Sequence, residues 1–339
     1  MSESEQEFQD RVEKLCEDIF GFLFPSALRT AIRLDVPDHL AKGPRTAAEL
    51  AELNGANAAY LERVLRYLAT RNVFREDEAG RFHMTPEAEL FRSDAQPSLR
   101  DFALVAAHEV VLGAAARLYD GVVKGKTVFE DVHGVGLFEY MSGNPEFAQS
   151  FDKGMSAFSD TENPVIAASY EFPAGATVVD VGGGRGGLLR SVLEQHEGVK
   201  GILLDRDHVV AGHMLDVPEL AGRWEAVGGD FLESVPAGGD YYVIKHVLHN
   251  WSEEDGLRIL DACRRAMAEG GRILVVDAVI PRDNAFHPGK TQDLMMMPIV
   301  DGQELTKEGF QALFAKAGFK LTRIIDTPSH SSIVEGITE

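Results

Sequence analysis

The chain has 339 residues, enough for two domains. Its hydrophobic fraction of 45% is that of a globular protein with a sizeable core. Acidic residues number 54 against 33 Lys and Arg, a formal net charge of −21 that argues against nucleic acid or an anionic membrane as partner.

Two cysteines, Cys16 and Cys263, make neither a disulfide framework nor a metal cluster. They read as reduced packing residues of a cytoplasmic protein. The N-terminus is polar and acidic rather than a signal peptide, and no apolar run of 18 residues is present to span a bilayer.

Residues 8–100 read as a first module. Phe20 to Leu34 is apolar at helical spacing, with Phe22, Phe24 and Leu28 on its stripe. Thr46 and Glu49 form a capping box that opens a helix over Ala47 to Leu53. Asn57 caps a further helix with the stripe Leu61, Val64, Leu65 and Leu68. Val73 to Glu76, a polar turn through Gly80, and Arg81 to Met84 predict a β-hairpin. Helices followed by a hairpin make a winged-helix pattern. Arg63, Arg66 and Arg71 on its second helix raise the alternative of a DNA-binding regulator, against which stand Glu62 and the acidity of the whole chain.

The run Thr177-Val178-Val179-Asp180-Val181-Gly182-Gly183-Gly184-Arg185-Gly186-Gly187 is a β-branched strand, a glycine turn and the start of an apolar helix. Such a turn lets a ligand approach the backbone beside unpaired helix N–H groups. Gly182, Gly184 and Gly187 fit the dinucleotide fingerprint, and Asp205 follows at the distance of a ribose-binding acid. An NAD-dependent oxidoreductase is therefore one alternative. Asp180, two residues before Gly182, favours instead a ligand with positive charge and no phosphate, as S-adenosylmethionine is.

Further strands follow. Gly201 to Leu204 ends at Asp205, a third strand near Trp224 to Val227 precedes Asp230 and Phe231, and Tyr241 begins a fourth that runs into His246, His249, Asn250 and Trp251. Ser252 and Asp255 cap the next helix, and Arg272 to Val276 ends at Asp277. Asp180, Asp205, Asp230 and Asp277 thus fall at strand ends, where open α/β sheets bind ligands. Asp205 suits the ribose hydroxyls, Asp230 an adenine amino group and Phe231 its flat face.

In these motifs the chain resembles the class I S-adenosylmethionine-dependent small-molecule O-methyltransferases, the plant caffeate-type and bacterial natural-product enzymes. The matching residues are DVGGGRGG (180–187), LLDRDHVV (203–210), GGDF (228–231), KHVLHNWSEED (245–255), VVDAVIP (275–281) and DGQELT (301–306). His133 to Ser159 resembles the family's helical segment over the active site. The resemblance implies a Rossmann-like α/β methyltransferase domain of seven strands at 166–339, a helical connector at 101–165 and an N-terminal winged-helix dimerisation domain. It also implies a homodimer.

By the same resemblance the cofactor is S-adenosylmethionine, held by Asp180, Gly182, Gly184, Asp205, Arg206, Asp230, Phe231, Lys245 and Trp251. His249 is the general base, with His246 its rival three residues earlier. Asp277, one methylene shorter than the family's glutamate, and Glu304 orient the imidazole. Asn250 stands where plant members carry an acid. Asn250, Met155, Phe158, Met295 and Met296 are candidate contacts to a flat aromatic or polyketide-type acceptor bearing a phenolic hydroxyl. No metal-binding spacing is present, and no metal is expected. Some bacterial relatives bind the same cofactor yet hydroxylate or decarboxylate, which leaves a second enzymatic alternative.

Overall fold

A computed structural model describes residues 3–338. The chain divides into two compact units, one running up to Leu112 and including Glu146–Phe158, the other comprising Gly113–Pro145 and the chain from Ser159 onward.

In the first unit a helix covers Glu3–Ile19, a 3-10 turn Phe20–Phe22, and a second helix Leu23–Arg33. The sequence predicts one apolar helix from Phe20. The structure breaks the path at the turn containing Gly21, a residue that costs about 1 kcal/mol inside a helix. Phe8, Val12, Leu15 and Ile19 recur at helical spacing on the first helix, yet they are 37–68% exposed.

The capping box forms as the sequence predicts: Thr46 and Glu49 satisfy each other's backbone N–H at the start of Ala47–Asn54. The Asn57 side chain accepts from Tyr60 N–H and opens Ala58–Ala69. Strand β1 (Arg45–Thr46) joins the hairpin of β2 (Phe74–Glu76) and β3 (Arg81–Met84) in the order β1-β3-β2, all antiparallel. Leu50, Leu61, Leu65, Leu68, Phe74 and Phe82 bury against one another beneath them. Each such side chain contributes about 1.5–3 kcal/mol on leaving water.

The second unit is built on one seven-stranded sheet. Its strands are β4 (Thr177–Val181), β5 (Lys200–Asp205), β6 (Trp224–Gly228), β7 (Tyr241–Lys245), β8 (Arg272–Asp277), β9 (Phe319–Asp326) and β10 (Ser332–Thr338). Their order is β6-β5-β4-β7-β8-β10-β9. The first five run parallel, while β10 pairs antiparallel with both β8 and β9. Helices cover both faces, so the central strands read as unbroken apolar runs rather than alternating ones. Val178, Leu189 and Leu203 pack in the core on one face, and Val179, Ile259, Val275 and Phe314 in that on the other.

Glu335 of β10 is 1% exposed and accepts from Tyr170 Oη (2.5 Å), Thr322 Oγ1 (2.6 Å), Arg272 Nη1 (2.9 Å) and Arg323 Nη2 (3.0 Å). Burial opposes its charge, and these donors overcome that opposition and bring its pKa down to about 2. The network holds the antiparallel edge onto the parallel sheet. Strand order reverses between β4 and β7, whose carboxyl ends define the crevice where such sheets bind ligands. Among the described residues, no helix is long and apolar enough to cross a membrane.

Candidate active site

The glycine turn after β4 is shaped by close approach. Gly182 has φ 69°, and a Cβ there would lie 2.7 Å from Val247 Cγ2 and 3.2 Å from the Phe231 ring. Only glycine fits both the conformation and the space. Gly186, also left-handed, begins the helix Gly187–Gln195. Asp180 beneath the turn is 1% exposed, and among the described residues neither carboxylate oxygen has a hydrogen-bond partner. Burial raises its pKa to about 7, against the pull of Lys245. A buried, unpartnered carboxylate under a glycine turn fits a cationic ligand group.

Asp205 ends β5. Its Oδ2 accepts from Gly184 N–H (2.8 Å) and its Oδ1 from Arg206 N–H (2.7 Å), which fixes the carboxylate at the rim of the turn. Arg206 itself is exposed. Asp230, past the end of β6, accepts from Leu232 N–H (2.8 Å). Phe231 meets Trp251 edge-on at 5.8 Å, and Trp251 stacks on Phe138 at 5.6 Å and 13°. The turn, these acids and these rings therefore gather around the ends of β4, β5 and β6.

Lys245 ends β7 and is 9% exposed. Its ammonium is held by Ser159, by Asn163 Oδ1 (2.8 Å) and by Glu162 Oε1 (3.2 Å). Burial lowers its pKa, and Glu162 works the other way. The Lys245 ammonium is thus engaged within the protein.

His249 lies on the 3-10 turn Leu248–Asn250 after β7 and is 6% exposed. Its Nδ1–H donates to Glu304 Oε1 at 2.8 Å, while Asp277 Oδ1 stands 3.7 Å from the same nitrogen. That arrangement commits the proton to Nδ1 and leaves the Nε2 lone pair available. Burial would lower the His249 pKa, but the Asp277 charge and the Glu304 hydrogen bond outweigh it and raise the value above the ordinary imidazole range. Burial pushes Glu304 above the usual carboxylate range. Glu304 is itself positioned by a backbone N–H bond to Asp293 Oδ1 (2.8 Å).

Three neighbours of this centre escaped the sequence reading as site residues. Glu162 is 3% exposed, and His246 Nε2–H donates to its Oε1 at 2.5 Å. His330 Nδ1 stands 3.7 Å from its Oε2, and the His330 ring stacks on His246 at 5.8 Å. Gly302, inside the matched segment 301–306, backs onto the turn that carries His249: a Cβ there would lie 2.0 Å from His249 O. Glu162, His246 and His330 each offer one ligand atom within 4.8 Å of the others, but the same carboxylate already meets the Lys245 ammonium.

The residues expected on the acceptor side separate. Asn250 Nδ2 donates to His246 O (2.9 Å) and so braces the turn. Met296 is 6% exposed and Met295 38%, on the helix Pro288–Met296. Met155 and Phe158 belong to the first unit, where Phe158 stacks on Phe102 at 4.7 Å.

Comparison with known proteins identifies the family. Residues 116–320 match the O-methyltransferase domain family, and residues 16–94 the O-methyltransferase dimerisation domain. The chain is 37% identical over 323 residues to the phenazine O-methyltransferase PhzM of Lysobacter antibioticus, covering 95% of this chain and 94% of that protein. It superposes with a TM-score of 0.89, at 42% identity, on the S-adenosylhomocysteine-bound CalO1, a methyltransferase of calicheamicin biosynthesis, covering 98% and 99% of the two chains. It also superposes, with a TM-score of 0.78 at 33% identity and covering 93% and 96%, on NcsB1 of neocarzinostatin biosynthesis in complex with S-adenosylmethionine and 2-hydroxy-5-methyl naphthoic acid. The chain belongs to this O-methyltransferase family, and its cofactor is S-adenosylmethionine.

Proposed function

We propose that this O-methyltransferase modifies a phenolic hydroxyl of an aromatic natural-product precursor, with His249 as general base. The observation that carries this reading is the buried His249 Nδ1–H bond to Glu304, which leaves Nε2 as the basic atom at the end of β7. When bound, S-adenosylmethionine supplies an electrophilic methyl. The chain's part is to orient, to exclude water and to take one proton. A phenol has a pKa of about 10, so at neutral pH only about one in a thousand is ionised. Supplying the phenolate costs about 4 kcal/mol. A neutral imidazole that removes the proton as the oxygen reacts is worth about 10²–10⁴-fold.

In this reading Asp180 faces the cationic end of the donor, Asp205 its ribose, and Asp230, Phe231 and Trp251 its adenine. Met155, Phe158, Asn250, Met295 and Met296 are proposed acceptor contacts. The naphthoate bound to NcsB1 supports a fused aromatic acid as the first acceptor to try.

A panel of hydroxynaphthoic and hydroxybenzoic acids, incubated with the donor and read by mass spectrometry, tests the reaction. Methyl transfer adds 14 mass units, whereas the hydroxylating alternative adds 16. His249→Ala is expected to lower kcat by about tenfold or more while donor affinity holds within about threefold. A loss of kcat below about threefold defeats the general-base role.

We further propose a homodimer. The matched dimerisation domain and the exposed row Phe8, Val12, Leu15 and Ile19 support it, because an apolar stripe of this length calls for a partner surface. Leu15→Lys with Ile19→Lys should shift light-scattering mass toward the monomer. A DNA-binding role finds little support: Arg66 pairs with Glu62 and Glu76, and Arg71 with Glu17. The protein is expected to pass through a heparin column unretained.

A further inference from the structure

His246 has a left-handed backbone, φ 53°, where β7 gives way to the turn carrying His249. A residue with a Cβ is strained in that region and persists there only where its surroundings over-determine it. Its N–H lies 3.0 Å from Asp277 Oδ1 and 3.2 Å from Val276 O. Its carbonyl accepts from Asn250 Nδ2, and its ring donates to Glu162 Oε1 at 2.5 Å. The ring also stacks on His249 at 5.3 Å, and Asp277 Oδ1 lies 3.6 Å from His246 Nδ1 and 3.7 Å from His249 Nδ1.

Glu162 reaches this point from 84 residues away. It is fixed in turn by the Lys245 ammonium (3.2 Å) and by Ser331 Oγ, which donates to Oε2 at 3.3 Å. Burying a carboxylate at 3% exposure is costly unless it is paired. Here the pairing spans the end of β7, the start of β10 and the helix beginning at Asn163. Glu162 therefore serves both the Lys245 ammonium, which also keeps Ser159 and Asn163 as partners, and the His246 ring, for which it is the hydrogen-bond acceptor.

We propose that Glu162 and His246 are positioning residues for methyl transfer. Glu162 clamps the His246 ring, the clamped ring maintains the left-handed turn, and the turn aims His249 at the acceptor with Asp277 between the two imidazoles. This rests on His249 as the base. Errors of about 1 Å in such a group cost up to about 10²-fold, so the effect belongs in kcat rather than in donor binding.

The test compares Glu162→Gln and His246→Gly, the latter chosen because glycine adopts the same backbone without strain. With the fastest acceptor of the phenolic panel, each should lower kcat by about fivefold or more, with KM for S-adenosylmethionine within about twofold. Glu162→Gln added to His249→Ala should cost less than about twofold further, because the clamp acts through the base. Undiminished kcat in both single variants, or a full further loss on the His249→Ala background, overturns the proposal. A weak effect of His249→Ala by itself overturns the base and leaves the clamp without a function in catalysis.

Histidine-selective ¹⁵N NMR reads the same geometry without any acceptor. His249 should show a single Nδ1–H tautomer in the wild type and a mixture in either variant. A spectrum of His249 unchanged in both variants rules the clamp out.

Discussion

Glu304 Oε1 accepts from His249 Nδ1–H at 2.8 Å, a direct bond from a side chain 55 residues further along the chain. Asp277 stands at 3.7 Å from the same nitrogen, beyond hydrogen-bond range. The two acids that the sequence assigns to one task therefore divide it. Glu304 fixes the tautomer, and Asp277 contributes charge while its Oδ1 accepts the His246 backbone N–H.

That division predicts unequal mutants. Glu304→Gln, which loses the charge-assisted bond, should lower kcat by about tenfold or more. Asp277→Asn keeps an acceptor for the backbone N–H and should cost less, about threefold to tenfold. Steady-state kinetics that show the reverse order would mean Asp277 is the true orienting acid.

The pH profile follows from the sign of the His249 shift. Asp277 and Glu304 outweigh burial and raise its pKa above 6.5, and in the proposed base role the imidazole works only when neutral. Activity should therefore be full at high pH and fall as pH drops through a value above about 6.5. Asp277→Asn removes a raising charge, so the acidic limb of kcat/KM should move to lower pH. A limb that moves upward contradicts the assignment.

As a proposed donor contact, Asp180 should couple binding to stability. Its folded pKa of about 7 lies above the ordinary aspartate value of 3.8, so the folded state holds the proton more tightly. The stability this gives is complete below the unfolded value and is lost as pH rises through about 7. Asp180→Asn should raise the melting temperature of the ligand-free protein at pH 8 by a few degrees, given ~2–4 °C per kcal/mol. The same variant should lose most of the melting-temperature gain that S-adenosylhomocysteine confers. A gain equal to wild type at that pH removes Asp180 from the donor site.

Gly302 gives a test of pure sterics. A Cβ there would lie 2.0 Å from His249 O and 2.5 Å from its carbonyl carbon, both backbone atoms that cannot swing aside. Gly302→Ala should displace the His249 turn and lower kcat by about tenfold or more. S-adenosylhomocysteine binding by calorimetry should change little, because the glycine turn after β4 is untouched. A variant with normal kcat would show that the turn yields at no cost.

Local patterns were readable where the physics is local. Thr46 and Glu49 satisfy neighbouring backbone groups, and Asn57 does the same, so their helices begin where the sequence places them. The strand ends at Asp205 and Asp277 follow from apolar runs that stop at a carboxylate. The first helix was different. Glu3–Ile19 is polar overall, with its apolar residues left exposed, and its pattern declares itself only beside a partner surface. The placement of β9 and β10 was not legible either: β10 pairs with the distant β8, and β9 joins the sheet only through β10.

The sequence by itself determined the glycine turn, the acids at the strand ends and the imidazole after β7, because each is set by residues within a few positions of one another. Only the tertiary structure decided which acid bonds His249, that Glu162 holds His246, and that Gly302 must lack a side chain. Those contacts join residues 55 and 84 positions apart in two cases, and such distances are closed by packing of the sheet, not by any spacing along the chain.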